Sequence, residues 1–321
     1  MSLLTTVFCE IEQRGYNLYD NQLRQTCPTD SRHLVYPEKC AIFTQIDTYG
    51  GFFGTAEDGD LVVNSGSTVV LARDTYYRLL TVYGVINTNG FRLFVANTLT
   101  IGSTGHIHNN GNDAVAEVGG GSTNSLGTLG YGGAGGTGSN RNGTSGAALP
   151  ANTRLGGIGI NGDTGATGTP GNAGAATTIS AILGGVGTPR VAEIAITGRD
   201  YSYTRFNGGT GGGAAGAGDG QLLSASGNVI KVNGGGGGGG GGVVLVVARF
   251  VVCEIGGKIT ANGGNGASIS GGPSGGGGGG GVTMLITTTN PLSDIILTAD
   301  PGTGGASPTA SQFGMVYYLP V

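Results

Sequence analysis

Short aliphatic and β-branched runs, punctuated by Asn, Ser and Gly, dominate the chain from Asp60 onward. Leu61-Val62-Val63 and Val69-Val70-Leu71 flank the turn-forming Asn64-Ser65-Gly66-Ser67, the signature of short strands joined by tight turns. Longer segments follow at Leu79–Asn87 and Phe91–Ile101. The pattern resumes at Val243–Arg249, Phe250–Ile255, Val282–Ile286 and Asp294–Thr298. Three stretches share one phrase, G-x-I-x-x-N-G, at Gly84–Gly90, Gly105–Gly111 and Gly257–Gly263. The first two begin about 20 residues apart, the length of one stacked coil. In that reading the isoleucine points into the core, its neighbours face outward, and Asn-Gly supplies a positive φ at the corner. The pattern therefore predicts an all-β fold: short β-solenoid coils over residues 59–321. A glycine-rich insertion at about 112–242 is expected to project from one edge.

Composition sharpens this picture. Glycine fills 71 of 321 positions, against an ordinary share of about 7%. Apolar residues still make up 38% and charged residues only 11%, so the chain lacks the self-repulsion that keeps disordered segments open. The net charge of −4, with no basic run, argues against nucleic acid and anionic membrane as partners. No aliphatic run approaches the length needed to span a bilayer, and the first ten residues lack the basic region of a secretory signal.

Residues 1–58 differ in texture, with several aromatics and a single glycine before Gly50. They read equally as an attachment segment or as a cap over the open end of stacked coils. Cys9, Cys27 and Cys40 lie here at spacings that match no standard zinc pattern, which leaves free, bridged or metal-bound thiols open. Within the insertion, glycine recurs at every third position from Gly156 to Gly174, the period of a polyproline-II helix. A bundle of such helices packed side by side suits this composition better than a collagen triple helix or a flexible linker. Only Pro170 falls within the triplets.

The unbroken runs Gly234–Gly242 and Gly275–Gly281, the Gly-X-Y stretch and the Ser/Thr/Asn loops between them resemble the glycine-rich adhesins and tail-fibre tips of bacteriophages. The resemblance implies a non-enzymatic virion protein on the particle exterior, a homotrimer held to other virion proteins through residues 1–58. Its ligand would be a host surface receptor or glycan. The expected contacts are Asn140, Arg141 and Asn142, then Arg199 and Tyr201, then Tyr203, Arg205 and Phe206. A capsid decoration or head-fibre protein is the alternative. His106 and His108 sit two apart and project from one face of a strand. In a trimer they would converge on the axis as ligands for a transition metal such as iron; otherwise no cofactor is expected. Phosphate-binding glycine motifs lack their strand–turn–helix context. Glu57-Asp58-Gly59-Asp60 reads as a solvated turn, and Asp113 with Glu117 makes only a weak carboxylate pair.

Overall fold

Each aliphatic run becomes a strand, and each glycine-containing turn carries the chain across to a second sheet. A computed structural model describes residues 52–123, 127, 129–138, 143–147, 159, 162, 172, 199–200, 204–205, 218–223, 229–270, 273–304 and 312–320. The strands alternate between long and short. In chain order they begin with β1 (Asp60–Val63), β2 (Thr68–Val70), β3 (Thr75–Val82), β4 (Val85–Asn87), β5 (Arg92–Ile101) and β6 (His106–His108). Two antiparallel pairs follow, β7 (Arg199–Asp200) with β8 (Thr204–Arg205) and β9 (Gly218–Leu223) with β10 (Val229–Val232). The series then resumes with β11 (Val243–Cys253), β12 (Lys258–Thr260), β13 (Val282–Thr287), β14 (Ile296–Thr298) and β15 (Met315–Pro320).

The long strands form a six-stranded sheet, β1-β3-β5-β11-β13-β15, and the short ones a five-stranded sheet, β14-β12-β6-β4-β2. Every pairing within both sheets is parallel. Between the sheets lies the main core. Leu80, Leu99, Ile101, Val244 and Val246 of the large sheet meet Ile86, Ile107 and Ile259 of the small one, all fully buried. The three isoleucines of the repeated phrase are register partners across β4, β6 and β12. Burying each such side chain contributes about 1.5–3 kcal/mol, so this column outweighs any exposed ion pair. A second cluster covers the other face of the large sheet over its first half. There Val243, Leu245, Val247, Met284 and Ile286 pack with Phe53, Phe94 and Leu129.

Glycine builds a further layer inside the molecule. The run Gly234–Gly242 is wholly buried, and its amides point in three directions with a period of three residues. Gly236, Gly239 and Gly242 donate to the carbonyls of Ala116, Asn112 and Asn109 at 2.8, 2.9 and 2.8 Å. Gly237 and Gly240 donate to Gly136 and Gly133, both at 2.8 Å. Gly235, Gly238 and Gly241 donate to Pro273, Gly276 and Gly279 at 3.0, 2.8 and 3.0 Å. Three residues per turn is polyproline-II geometry, which satisfies no backbone group internally. Side-by-side packing supplies the partners that buried amides require. The spacing leaves no room for a side chain: a Cβ on Gly238 would lie 2.0 Å from the Gly264 carbonyl oxygen.

These observations correct the solenoid expectation. The fold is a two-sheet, all-parallel sandwich held by contacts between residues far apart in sequence, in place of repetitive coils. Its steps are unequal: Asp60 pairs with Leu79, Arg92 with Leu245, and Val282 with Met315. The insertion does not simply project from an edge either, because Gly234–Gly242 and residues 129–138 pack within the glycine layer. A strict repeat fails because most of the stacking information resides in backbone hydrogen bonds, which demand glycine but no fixed period between strands. The triplet glycines Gly156, Gly165, Gly168, Gly171 and Gly174 lie outside the described residues, as do Cys9, Cys27 and Cys40.

Candidate functional site

The large sheet is covered on both faces only up to its middle. There the register shifts between Tyr77 and Leu79 and between Ala248 and Phe250, placing Ala96-Asn97 of β5 opposite single residues on each side. Such a bulge re-aims the strand beyond it. Past it, Leu80, Val82, Leu99, Ile101 and Val251 still face the core. The alternate positions form two outward rows set by the register: Asp60, Leu79, Thr98 and Phe250, then Val62, Thr81, Thr100 and Val252; just past the strand ends, Tyr83 lies over Gly102 with Glu254 alongside. Val62 and Val252 are each 55% exposed, Phe250 40% and Tyr83 39%. These four apolar side chains, with Leu79, Thr81, Thr98 and Thr100 between them, leave the outer face of the sheet open to contact past the bulge.

Tyr83 is held there by local geometry. Its ring occupies the space above Gly102 where a Cβ would stand, which would lie 2.3 Å from the ring's Cδ1. The hydroxyl of Thr104 donates to the Tyr83 carbonyl at 2.7 Å. Across Gly102, the Glu254 carboxylate accepts the Ser103 amide at 2.9 Å. Charge is confined to the rim. Arg78 clasps Asp60 through Nε–Oδ1 at 2.9 Å and Nη2–Oδ2 at 2.5 Å, and this hydrogen bond holds the Asp60 carboxyl below its ordinary range. The Arg249 guanidinium lies 5.5 Å from the Phe250 ring centroid. Past the bulge, the middle strands β3 and β5 present Leu79, Thr81, Thr98 and Thr100 beside the paired Arg78, and Tyr83 and Gly102 follow at their ends.

The small sheet carries the histidine pair on its outer face. Both rings are half-buried and stacked, with centroids 4.7 Å apart. The hydrogen bonds fix their tautomers. Thr260 Oγ1 lies 2.8 Å from Asn110 Oδ1, which also accepts the Asn262 amide at 2.8 Å. An amide oxygen cannot donate, so the single hydroxyl proton of Thr260 points at Asn110. His106 Nε2, 2.7 Å from Thr260 Oγ1, therefore carries a proton and donates it. His108 Nδ1 accepts the Asn110 amide at 3.3 Å, which places the proton of its neutral ring on Nε2. Burial first, then His108 and Lys258, push His106 down to about 4, and burial lowers His108. Both rings are thus neutral near pH 7. Thr260 is only 3% exposed and its proton is already engaged, so His106 is not placed to activate it as a nucleophile.

The other sequence candidates fall in scattered places. Arg199 and Arg205 are register partners in the β7–β8 pair. Asn140, Arg141, Asn142, Tyr201, Tyr203 and Phe206 lie outside the described residues. Asp113 accepts the Asn265 amide at 2.6 Å and so ties two glycine-layer segments together. Asp58 pairs with Arg73 and accepts the Tyr76 amide at 2.7 Å, which makes the Glu57–Asp60 turn a structural clasp. Cys253 is a free, half-buried thiol pushed up to about 11, chiefly by burial. Among the described residues, no group of three or more His, Cys, Asp or Glu side chains gathers as a metal site. Sequence reasoning missed the open sheet face, although its signal was present in the alternation Leu79-x-Thr81-x-Tyr83 and Thr98-x-Thr100.

Fold and surface together define a two-sheet parallel β-sandwich with an internal glycine layer. No protein-family model matches the chain, and no curated protein or solved structure matches it. The phage tail-fibre and receptor-binding adhesin expectation is corrected by the architecture: packed parallel sheets and a buried hydrogen-bond network form a globular body instead of a fibre presenting loops. The head-fibre alternative requires a fibre as well and falls with it.

Proposed function

We propose that the protein is a non-catalytic binding module that takes its partner on the open half of the six-stranded sheet. One observation carries this reading. The sheet is buried on both faces before the bulge and exposes Val62, Tyr83, Phe250 and Val252 beyond it. A stiff glycine layer behind one end and a filled core beneath keep the face preorganised, which lowers the entropic cost of binding.

Charge insertion tests the reading. Thr100 faces outward in the middle of the face and is half-buried, so Thr100→Glu is expected to fold. Association of the purified protein with peptide arrays, glycan arrays or a second copy of itself is expected to occur and to be lost in Thr100→Glu. Binding that survives the substitution, or no association with any of the three, contradicts the proposal.

A further inference from the structure

We propose that the open face binds an extended, uncharged polysaccharide, with the Tyr83 ring as its stacking platform and Phe250 as a second contact. The inference rests on the binding-module reading and names its ligand. Three features favour a neutral sugar chain. First, the one charge that β3 and β5 bring to the face past the bulge, Arg78, is already clasped to Asp60, so a charged polymer would find no unpaired countercharge along the middle of the face. Second, Thr81 and Thr100 offer hydroxyls that both donate and accept, and Thr98, whose proton goes to Asn97 Oδ1 at 3.3 Å, offers an acceptor, all spaced between apolar side chains. Such a mixture suits sugars, whose C–H and O–H groups alternate. Third, aromatic rings have a negative face that attracts the weakly positive C–H groups of a pyranose.

The geometry also sets the ligand's length. Tyr83, one residue past the end of β3, and Phe250 on β11 are two strands apart and four residues apart along the strand direction. At about 4.8 Å between strands and 3.3 Å per residue, they are separated by about 16 Å along the diagonal. Engaging both aromatics requires a chain of several sugars. Glu254 lies beside the Tyr83 end, where its carboxylate can accept a sugar hydroxyl.

Gly102 provides a specific handle on the platform. Its missing Cβ leaves the space that the Tyr83 ring fills, and the nearest obstacles to a Cβ are atoms of that ring. Gly102→Ala therefore displaces the ring while leaving the sheet backbone in place. Affinity electrophoresis and calorimetry of the full chain with a neutral β-glucan, a mannan, an acidic polysaccharide and a polypeptide provide the test. At least one neutral polymer should bind. Tyr83→Phe is expected to keep that affinity within a few-fold, whereas Tyr83→Ala and Gly102→Ala each weaken it by about tenfold or more. Thr100→Glu should abolish it. Neutral-polymer binding that is indifferent to Tyr83→Ala, or binding only to the polypeptide or acidic polymer, overturns the glycan inference. If that other binding is still lost in Thr100→Glu, the module reading stands. Should no polymer bind in a Thr100-dependent way, both readings fall.

Discussion

At the scale of single residues, glycine here is a packing requirement more than a source of turns. The clearest case is Gly238, where a methyl group would meet the Gly264 carbonyl oxygen at 2.0 Å and nothing nearby can move aside cheaply. Gly238→Ala is expected to destabilise the protein by about 3 kcal/mol or more, the upper end of overpacking penalties. By contrast, Gly121→Ala finds its nearest neighbour at 3.5 Å and should change stability by less than about 0.5 kcal/mol. Urea midpoints of the two variants check both figures. The Asn-Gly corners divide in the same way. Asn89 and Gly90 adopt positive φ, 51° and 78°, as the repeated phrase suggests. Gly111 and Gly263 are needed because a Cβ would strike the Gly239 and Gly278 carbonyl oxygens at 2.1 and 2.3 Å. One phrase thus serves two physical purposes, which its spelling alone does not separate.

The histidines make a second residue-scale prediction. Both imidazoles are depressed below the ordinary value of 6.5, His106 to about 4, mainly by burial. On acidification the unfolded chain therefore takes up protons first. The stability they contribute is complete above about pH 6.5 and is lost as pH falls towards about 4. His108→Asn should flatten this dependence, because the equivalent Asn87 already caps its own turn by accepting the Asn89 amide at 2.9 Å. Thermal midpoints from pH 8 to 4 provide the comparison. Equal acid slopes in both proteins would contradict the assignment.

At the scale of elements, asparagines fasten successive strands where the small sheet ends. Asn110 Oδ1 receives Thr260 and Asn262. One step on, Asn262 Oδ1 receives the Thr298 hydroxyl and the Asp300 amide, each at 2.8 Å. A ladder of this kind explains how three-residue strands persist in parallel pairing, the less stable arrangement per residue. Asn262→Ala leaves two donors without their acceptor and should cost about 1–3 kcal/mol. Faster hydrogen exchange at Asp300 is the local readout. Unchanged exchange there would mean that the ladder does not hold β14. The strands themselves were legible, since Ile86, Ile107 and Ile259 follow the period of two and stack as register partners. The bulge at Ala96-Asn97 was not, because nothing in Val95-Ala96-Asn97-Thr98 breaks the β pattern.

At the scale of the molecule, the repeated phrase disclosed parallel stacking but not its extent. β5 joins β11 directly across the whole insertion, as the matching phrases on its two sides suggest, with Ile107 and Ile259 as register partners. Side-by-side packing of glycine helices was legible in the three-residue period, but the burial of that layer inside the body was not. A residue without a side chain carries no hydrophobic period, so Gly234–Gly242 reads the same whether it is buried or projects into solvent. Composition therefore suggested a fibre tip, whereas backbone hydrogen bonds produce a globular sandwich with one open sheet face. The same limit governed the site. The receptor-contact candidates were selected for Tyr and Arg in loops, while the surface with the clearest physical character lies on regular strands.

Hydroxyl-radical footprinting with and without a saturating neutral polysaccharide tests the central claim most directly, because Tyr and Phe report their own solvent exposure. Oxidation of Tyr83 and Phe250 is predicted to fall sharply on binding, while Tyr131 and Phe313, which are also exposed but lie off the face, stay unchanged. Unaltered oxidation at Tyr83 and Phe250, with protection elsewhere or nowhere, would contradict the assignment of this face as the binding surface.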